Sequence, residues 1–162
     1  MKLQLLAKIN GIMADVVSKN PEWCSDHLMT IMNEMLHLAA ELKKHNPESR
    51  VPQKVFDSLL ANFDSFSKLL TASDVSIVEG ASHTMLNFIH FSMVQGIQKN
   101  DLLKISDKQM ASILPAFKLD KQPIAKNLLK SLYWALTLGN SKFNTNHHIT
   151  FLDPLVLSNS NA

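Results

Sequence analysis

The chain has 162 residues, of which 46% are hydrophobic and 19% are charged, a composition typical of one globular domain rather than a disordered chain. Only four glycines occur, too few for the tight turns of an all-β domain, and the net charge of +2 is too small to indicate nucleic-acid binding by itself. The single cysteine excludes an internal disulfide. The sequence contains no run of about 18 apolar residues, the length needed to cross a membrane, so we expect an intracellular protein, cytoplasmic or nuclear.

Two amphipathic helices are predicted in the first 44 residues. Apolar residues recur at helical spacing over residues 2–18, and Asn20 ends this segment because it precedes Pro21 and is pushed out of the α region. The second helix begins either at Pro21, with Asn20 as its cap, or after Ser25-Asp26. It is predicted to run to Lys44, with cations in its last turn that suit the negative end of the helix dipole.

The middle of the chain predicts two further helices of different character. The third, over residues 52–71, has one apolar face and one polar face. The fourth, over residues 75–98, starts either after Asp74 or at the capping box formed by Ser76 and Glu79. Because the fourth segment is apolar on nearly every side, it is predicted to be buried at the centre of the fold.

The last third of the chain predicts two helices and a separate tail. The helices cover residues 106–117 and 120–138, and Gly139 is a signal for the end of the second. A polar stretch follows, and then an apolar segment, residues 149–157, which either covers the open end of the helices or inserts into a partner's groove. We therefore expect a helical-hairpin domain over residues 1–140 and a loop with an apolar segment, docked on it or extending from it, over residues 141–162.

These six helices pair into three antiparallel hairpins, over residues 2–44, 52–99 and 106–139, whose starts are 50 and 54 residues apart. Three stacked hairpins resemble HEAT and armadillo helical repeats, an architectural resemblance over residues 2–139 that includes no family motif. The resemblance implies binding of proteins or peptides along one layer of helices. The alternative is a compact orthogonal bundle around the helix 85–98, the plan of the Bcl-2-like fold, whose Asn-Trp-Gly-Arg motif is absent from this sequence.

No arrangement of residues predicts catalysis or a bound metal or cofactor. The seven histidines form no HxxxH or HExxH pattern, and His83 and His90 lie about 10.5 Å apart along one helix, too far to share an ion. Cys24 has His27 three residues on, but a lone cysteine near an apolar helix is more often a small core residue. We predict a protein without enzymatic activity, metal or cofactor.

Two sets of residues are candidates for binding a partner. The first is a basic face with an adjacent aromatic ring, a combination found in nucleic-acid binders as well as on solvated helix faces. The second belongs to the apolar tail. The candidates are Lys118, Lys121, Lys126, Lys130, Tyr133, Phe151, Leu152 and Leu155.

The predicted function is that of a scaffold or adaptor module that binds a protein partner. The alternatives are a nucleic-acid-associated domain that uses residues 118–130 and a helical-bundle regulator with a peptide-binding groove. A polar pocket around His83, Asn87 and His90 would instead indicate an enzyme or a small-molecule carrier. The sequence predicts no membrane association and leaves the oligomeric state open.

Overall fold

The computed structural model describes residues 1–97, 115–116 and 121–139, with side chains of the last helix described as far as Trp134. The described elements are all helical, which confirms the predicted all-α class. They are α1 (Lys2–Lys19), α2 (Ser25–His45), α3 (Val51–Ala61), α4 (Phe63–Ser67), a 3-10 turn (Lys68–Thr71), α5 (Val75–Val94) and α6 (Gln122–Gly139). The predicted fifth helix lies outside the described residues except for 115 and 116, which are helical. The predicted tail, residues 141–162, lies outside them as well.

Local chemistry sets most of the helix ends. α2 begins at Ser25, close to the later of its two predicted starts, but Ser25 is its first helical residue rather than its cap. The preceding Cys24 takes the cap position with a left-handed backbone, φ 58°. The carboxylate of Asp74 caps α5, because its Oδ1 accepts a hydrogen bond from the Ser76 N–H at 2.8 Å. The same helix ends at Val94, short of the predicted end at residue 98.

The prediction of one continuous helix over residues 52–71 is wrong. The structure breaks this segment at Asn62, whose Nδ2 donates to Asn10 Oδ1 on α1 at 3.1 Å and to the Ser58 carbonyl at 3.3 Å. After the break, α4 turns Phe63 and Phe66 into the core, where both are at most 4% exposed. The break therefore interrupts the helical hydrogen bonding but leaves these residues on the apolar face that the sequence predicts for the whole segment.

The core is one cluster of buried side chains to which the described helices contribute. α2 packs against α1, α3 and α5, while α5 packs against the 3-10 turn, α2 and α6. At the centre the fully buried rings of Phe56 and Phe88 stack with centroids 5.1 Å apart, and Phe63 lies 5.7 Å from Phe88. Burying one such ring stabilises the fold by roughly 2–3 kcal/mol. The predicted central burial of the fourth helical segment, here α5, agrees with this packing.

Five side-chain hydrogen bonds that join residues before position 50 to residues after it share nearly one offset along the chain, whereas the bond of Lys2 to Glu34, between α1 and α2, spans 32 residues. They link α1 and the turn after it to the segment between Asn62 and Ser73, and they link α2 to α5. The pairs are Asn10–Asn62, Ser18–Lys68, Glu22–Ser73, Asn33–Thr84 and Asn33–Asn87, which are 50 to 54 residues apart. Residue numbers rise together along each pair of elements, so they run in the same direction. This common offset does not conflict with the predicted side-by-side hairpins.

Candidate functional site

A groove with a volume of about 400 Å³ lies between α2 and α5. On each helix the lining residues recur at intervals of three and four, so they form one face. They are Asn33, Leu36, His37 and Ala40 from α2, and Asn87, His90, Phe91, Val94 and Gln95 near or on α5. Because the two helices run in the same direction, the groove has a polar end at the two asparagines and an apolar end at Ala40 and Val94. We call this feature the α2/α5 groove.

The polar end is a short chain of side-chain hydrogen bonds. Asn87 Nδ2 donates to Asn33 Oδ1 at 3.0 Å, and Asn33 Nδ2 donates to the hydroxyl of the buried Thr84 at 3.1 Å. Both asparagines are half-buried. Within the described part of the chain, Asn87 Oδ1 and one N–H of each amide remain for a bound partner. These are the donors and the acceptor that a peptide backbone requires.

The apolar end consists of a buried floor and an exposed rim. Leu36 and Phe91 are at most 6% exposed and form the floor, and Ala40 is half-buried beside them. Val94 is 60% exposed at the rim although it belongs to the most apolar helix. Covering such a side chain with an apolar group from a partner contributes on the order of 1 kcal/mol. This end therefore favours an apolar side chain, although the half-buried Gln95 next to Val94 also lines it.

The two histidines of the groove, His37 and His90, are exposed and come one from each helix. No group of three or more His, Cys, Asp or Glu side chains among the described residues could hold a metal ion. The predicted burial of Cys24 is wrong, since its thiol is exposed because the residue lies in the turn before α2 rather than on an apolar stripe. His27 is exposed as well.

The predicted partner-binding residues fall into two groups. Lys121, Lys126 and Lys130 are exposed at or on α6, and Tyr133 is half-buried with its ring edge-on to Trp134 at 5.1 Å. The others, Lys118, Phe151, Leu152 and Leu155, lie outside the described residues. The structure thus places a basic surface on α6 but does not describe the apolar tail.

Of the polar pocket considered from the sequence, Asn87 and His90 line the α2/α5 groove, whereas the exposed His83 does not. The α2 side of the groove was not predicted. One signal in the sequence is the spacing of these residues. Asn33 precedes Asn87 by 54 residues and His37 precedes His90 by 53, close to the predicted spacing of the hairpins. Each of the two helices thus brings one asparagine and one histidine to the groove.

No protein-family model, curated protein or solved structure matches this chain. Within the described helices, none combines the length and the apolar character needed to cross a membrane.

Proposed function

We propose that this protein is a protein-interaction module of the HEAT/armadillo-like kind, which binds an extended segment of a partner protein in the α2/α5 groove. The observation that carries the proposal is the pair of half-buried amides, Asn33 and Asn87, next to an apolar end with an exposed rim at Val94. The module carries out no catalytic step and acts inside the cell, in the cytoplasm or the nucleus. The 50 to 54 residue offset between neighbouring helices supports the repeat architecture.

The dimensions of the groove define the kind of ligand. From Asn33 to Ala40 the wall rises by about 10.5 Å, which matches about three residues of extended peptide. The amides of Asn33 and Asn87 hydrogen-bond the peptide backbone, so they select an extended conformation rather than a particular side chain. An apolar side chain two or three residues further along the peptide covers Val94. A footprint this short binds weakly, and stable association needs further contacts along the same helix layer.

The experiment is a selection of peptides displayed on phage against the full chain, followed by titration of the selected peptides by fluorescence anisotropy. Two groove variants are compared with wild type: Asn87→Ala, which removes a half-buried amide, and Val94→Asp, which places a charge at the apolar rim. The matched control is His83→Ala, which alters an exposed residue of the same helix outside the groove.

We expect both groove variants to bind about tenfold more weakly or worse, because each removes an interaction of about 1–2 kcal/mol, and the control to bind like wild type. Circular dichroism melting verifies that the variants fold, which is expected since neither side chain is in the core. Equal affinity of wild type and both groove variants for all selected peptides would exclude the α2/α5 groove as the binding site.

A second candidate function, binding of single-stranded nucleic acid, is favoured by the basic surface of α6. Lys126 and Lys130 are exposed one turn apart, Lys121 is exposed just before the helix, and residues 122–139 contain no acidic residue. Phosphate contacts release counterions, so such binding weakens steeply as salt rises. The double variant Lys126→Glu with Lys130→Glu should abolish it, while Lys54→Glu on α3 should not. Absence of binding at low salt would exclude this function.

A further inference from the structure

One face of α1 carries an apolar stripe that is separate from the core. Leu5, Ile9, Ile12 and Val16 follow one another at spacings of four, three and four residues, which places them on one side of a helix. Leu5 is 58% exposed and Ile12 is 67% exposed, while Ile9 and Val16 are half-buried. We call these four residues the α1 stripe.

The core-facing side of α1 is a different set of residues. Ala14 and Val17 belong to the core cluster, and Leu6 and Met13 pack against it. In the part of the chain that the structure describes, the members of the α1 stripe do not join that cluster. Exposed apolar side chains grouped on one helix face indicate a surface that is covered by something else.

We propose that the α1 stripe binds the same stripe of a second copy of this chain, with the two α1 helices antiparallel. The spacing of the stripe supports a two-fold arrangement, because Leu5 and Val16 are equally far from the midpoint between residues 10 and 11, as are Ile9 and Ile12. A two-fold axis at that midpoint places Leu5 against Val16 of the second copy and Ile9 against Ile12 of the second copy.

Charges beside the stripe complement each other in the same arrangement. Lys8 and Asp15 lie on one flank of the stripe, and in an antiparallel pair equal flanks face each other. Lys8 lies at the level of residue 13 of the second copy, so it is about 3 Å along the axis from Asp15 of that copy. The two-fold axis repeats this ion pair. In a parallel pair, the flank of the second copy that faces Lys8 and Asp15 would carry Leu6 and Met13. These apolar side chains form no ion pair with Lys8 or Asp15.

The existing ion pair of Asp15 does not prevent this contact. Lys19 Nζ lies 2.9 Å from Asp15 Oδ2 within α1, with both side chains at least 65% exposed, and such surface pairs exchange readily. The dimer is expected to be weak, since a standard interface buries about 800 Å² per partner and one helix face of this length supplies roughly half of that. Because α1 contributes no residue to the α2/α5 groove, the dimer would present two grooves at once.

The first test is sedimentation velocity of the full chain from about 1 µM to about 1 mM. We expect the average sedimentation coefficient of wild type to rise with concentration and that of Ile12→Lys to stay at the monomer value. The matched control is Leu42→Lys, which puts the same charge at an exposed apolar residue of α2 and should leave the association unchanged. Wild type that remains monomeric over the whole range, or association that Ile12→Lys does not reduce, would overturn the proposal.

The second test uses surface charges, so it does not depend on substitutions in an apolar stripe. Lys8→Asp places like charges opposite each other and should weaken the association about tenfold, while Lys8→Asp combined with Asp15→Lys should restore it. A double variant as weak as the single one would contradict the antiparallel ion pairs.

Orientation is tested by disulfide formation in a Cys24→Ser background. Leu5→Cys and Val16→Cys proteins, mixed and oxidised gently, should give a mixed disulfide. Each protein alone should give little, because residue 5 of one copy is about 16 Å along the axis from residue 5 of the other, beyond disulfide reach. Rapid homodisulfides of the Leu5→Cys protein would indicate a parallel pair and contradict the proposal.

Discussion

The close approach of α2 and α5 at Gly80 makes a quantitative prediction for the variant Gly80→Ala. A Cβ at this position would lie 3.1 Å from Met29 Cε and 3.2 Å from Met29 Sδ, whereas an unstrained contact is about 3.5–4.0 Å. Alanine stabilises a helix interior by about 1 kcal/mol relative to glycine. The thioether end of methionine is flexible, and its displacement by a few tenths of an ångström costs about 0.5–1 kcal/mol. The two effects nearly cancel.

We therefore expect Gly80→Ala to change the free energy of unfolding by less than about 0.5 kcal/mol. In a Met29→Ala background the contact is gone, so the same substitution should stabilise the protein by about 1 kcal/mol. Urea unfolding of wild type, both single variants and the double variant measures this coupling, with equal m-values as the criterion for comparison. A destabilisation of about 2 kcal/mol or more by Gly80→Ala alone, or identical effects in the two backgrounds, would refute the reasoning.

Three further predictions concern the core, a buried amide and a surface ion pair. Phe88→Ala should lower the free energy of unfolding by about 3–5 kcal/mol in urea melts, since a fully buried ring that touches two others is lost; a loss under 1 kcal/mol would contradict the packing. Asn10→Leu should raise the melting temperature, because the buried Asn10 Nδ2 has no hydrogen-bond partner among the described residues and its removal is worth about 1 kcal/mol; a lower melting temperature would show that the bond from Asn62 matters more. Lys2 Nζ donates to Glu34 Oε1 at 2.9 Å and holds the pKa of that carboxyl below its ordinary value, so Lys2→Met should raise this pKa in an NMR titration. The pKa of Glu34 is lower in the folded than in the unfolded protein. The ion pair therefore stabilises the fold at pH values above the ordinary pKa of glutamate, and this stabilisation is lost as the pH falls through the lowered pKa.

Local signals in the sequence predicted the features that short stretches of chain decide. The apolar periodicity gave α1 to within a residue at each end, and Asp74 was one of the two predicted caps of α5. The break at Asn62 was missed, and one of the two side-chain bonds that accompany it is not local. The amide of Asn62 pairs with Asn10, which is 52 residues away, and that pairing exists only once α1 lies beside this segment.

The α2/α5 groove was predicted only in part, for a related reason. Asn87 and His90 were recognised as polar groups on an apolar helix, but which residues face them depends on how α2 and α5 slide along each other. That alignment is set by packing, as in the contact of Met29 with Gly80, and not by helix propensity. The residues Asn33 and His37 therefore became visible as part of a site only in the structure.

The common offset between neighbouring helices also bears on how the chain folds as it is synthesised. The side-chain hydrogen bonds between hairpins, including that of Asn127 to Ser82, join residues only 45 to 54 positions apart. In the proposed stack of hairpins, each new hairpin docks on the preceding one soon after it leaves the ribosome, without waiting for a more distant part of the chain. Early docking of this kind shortens the time during which apolar helix faces are exposed to aggregation.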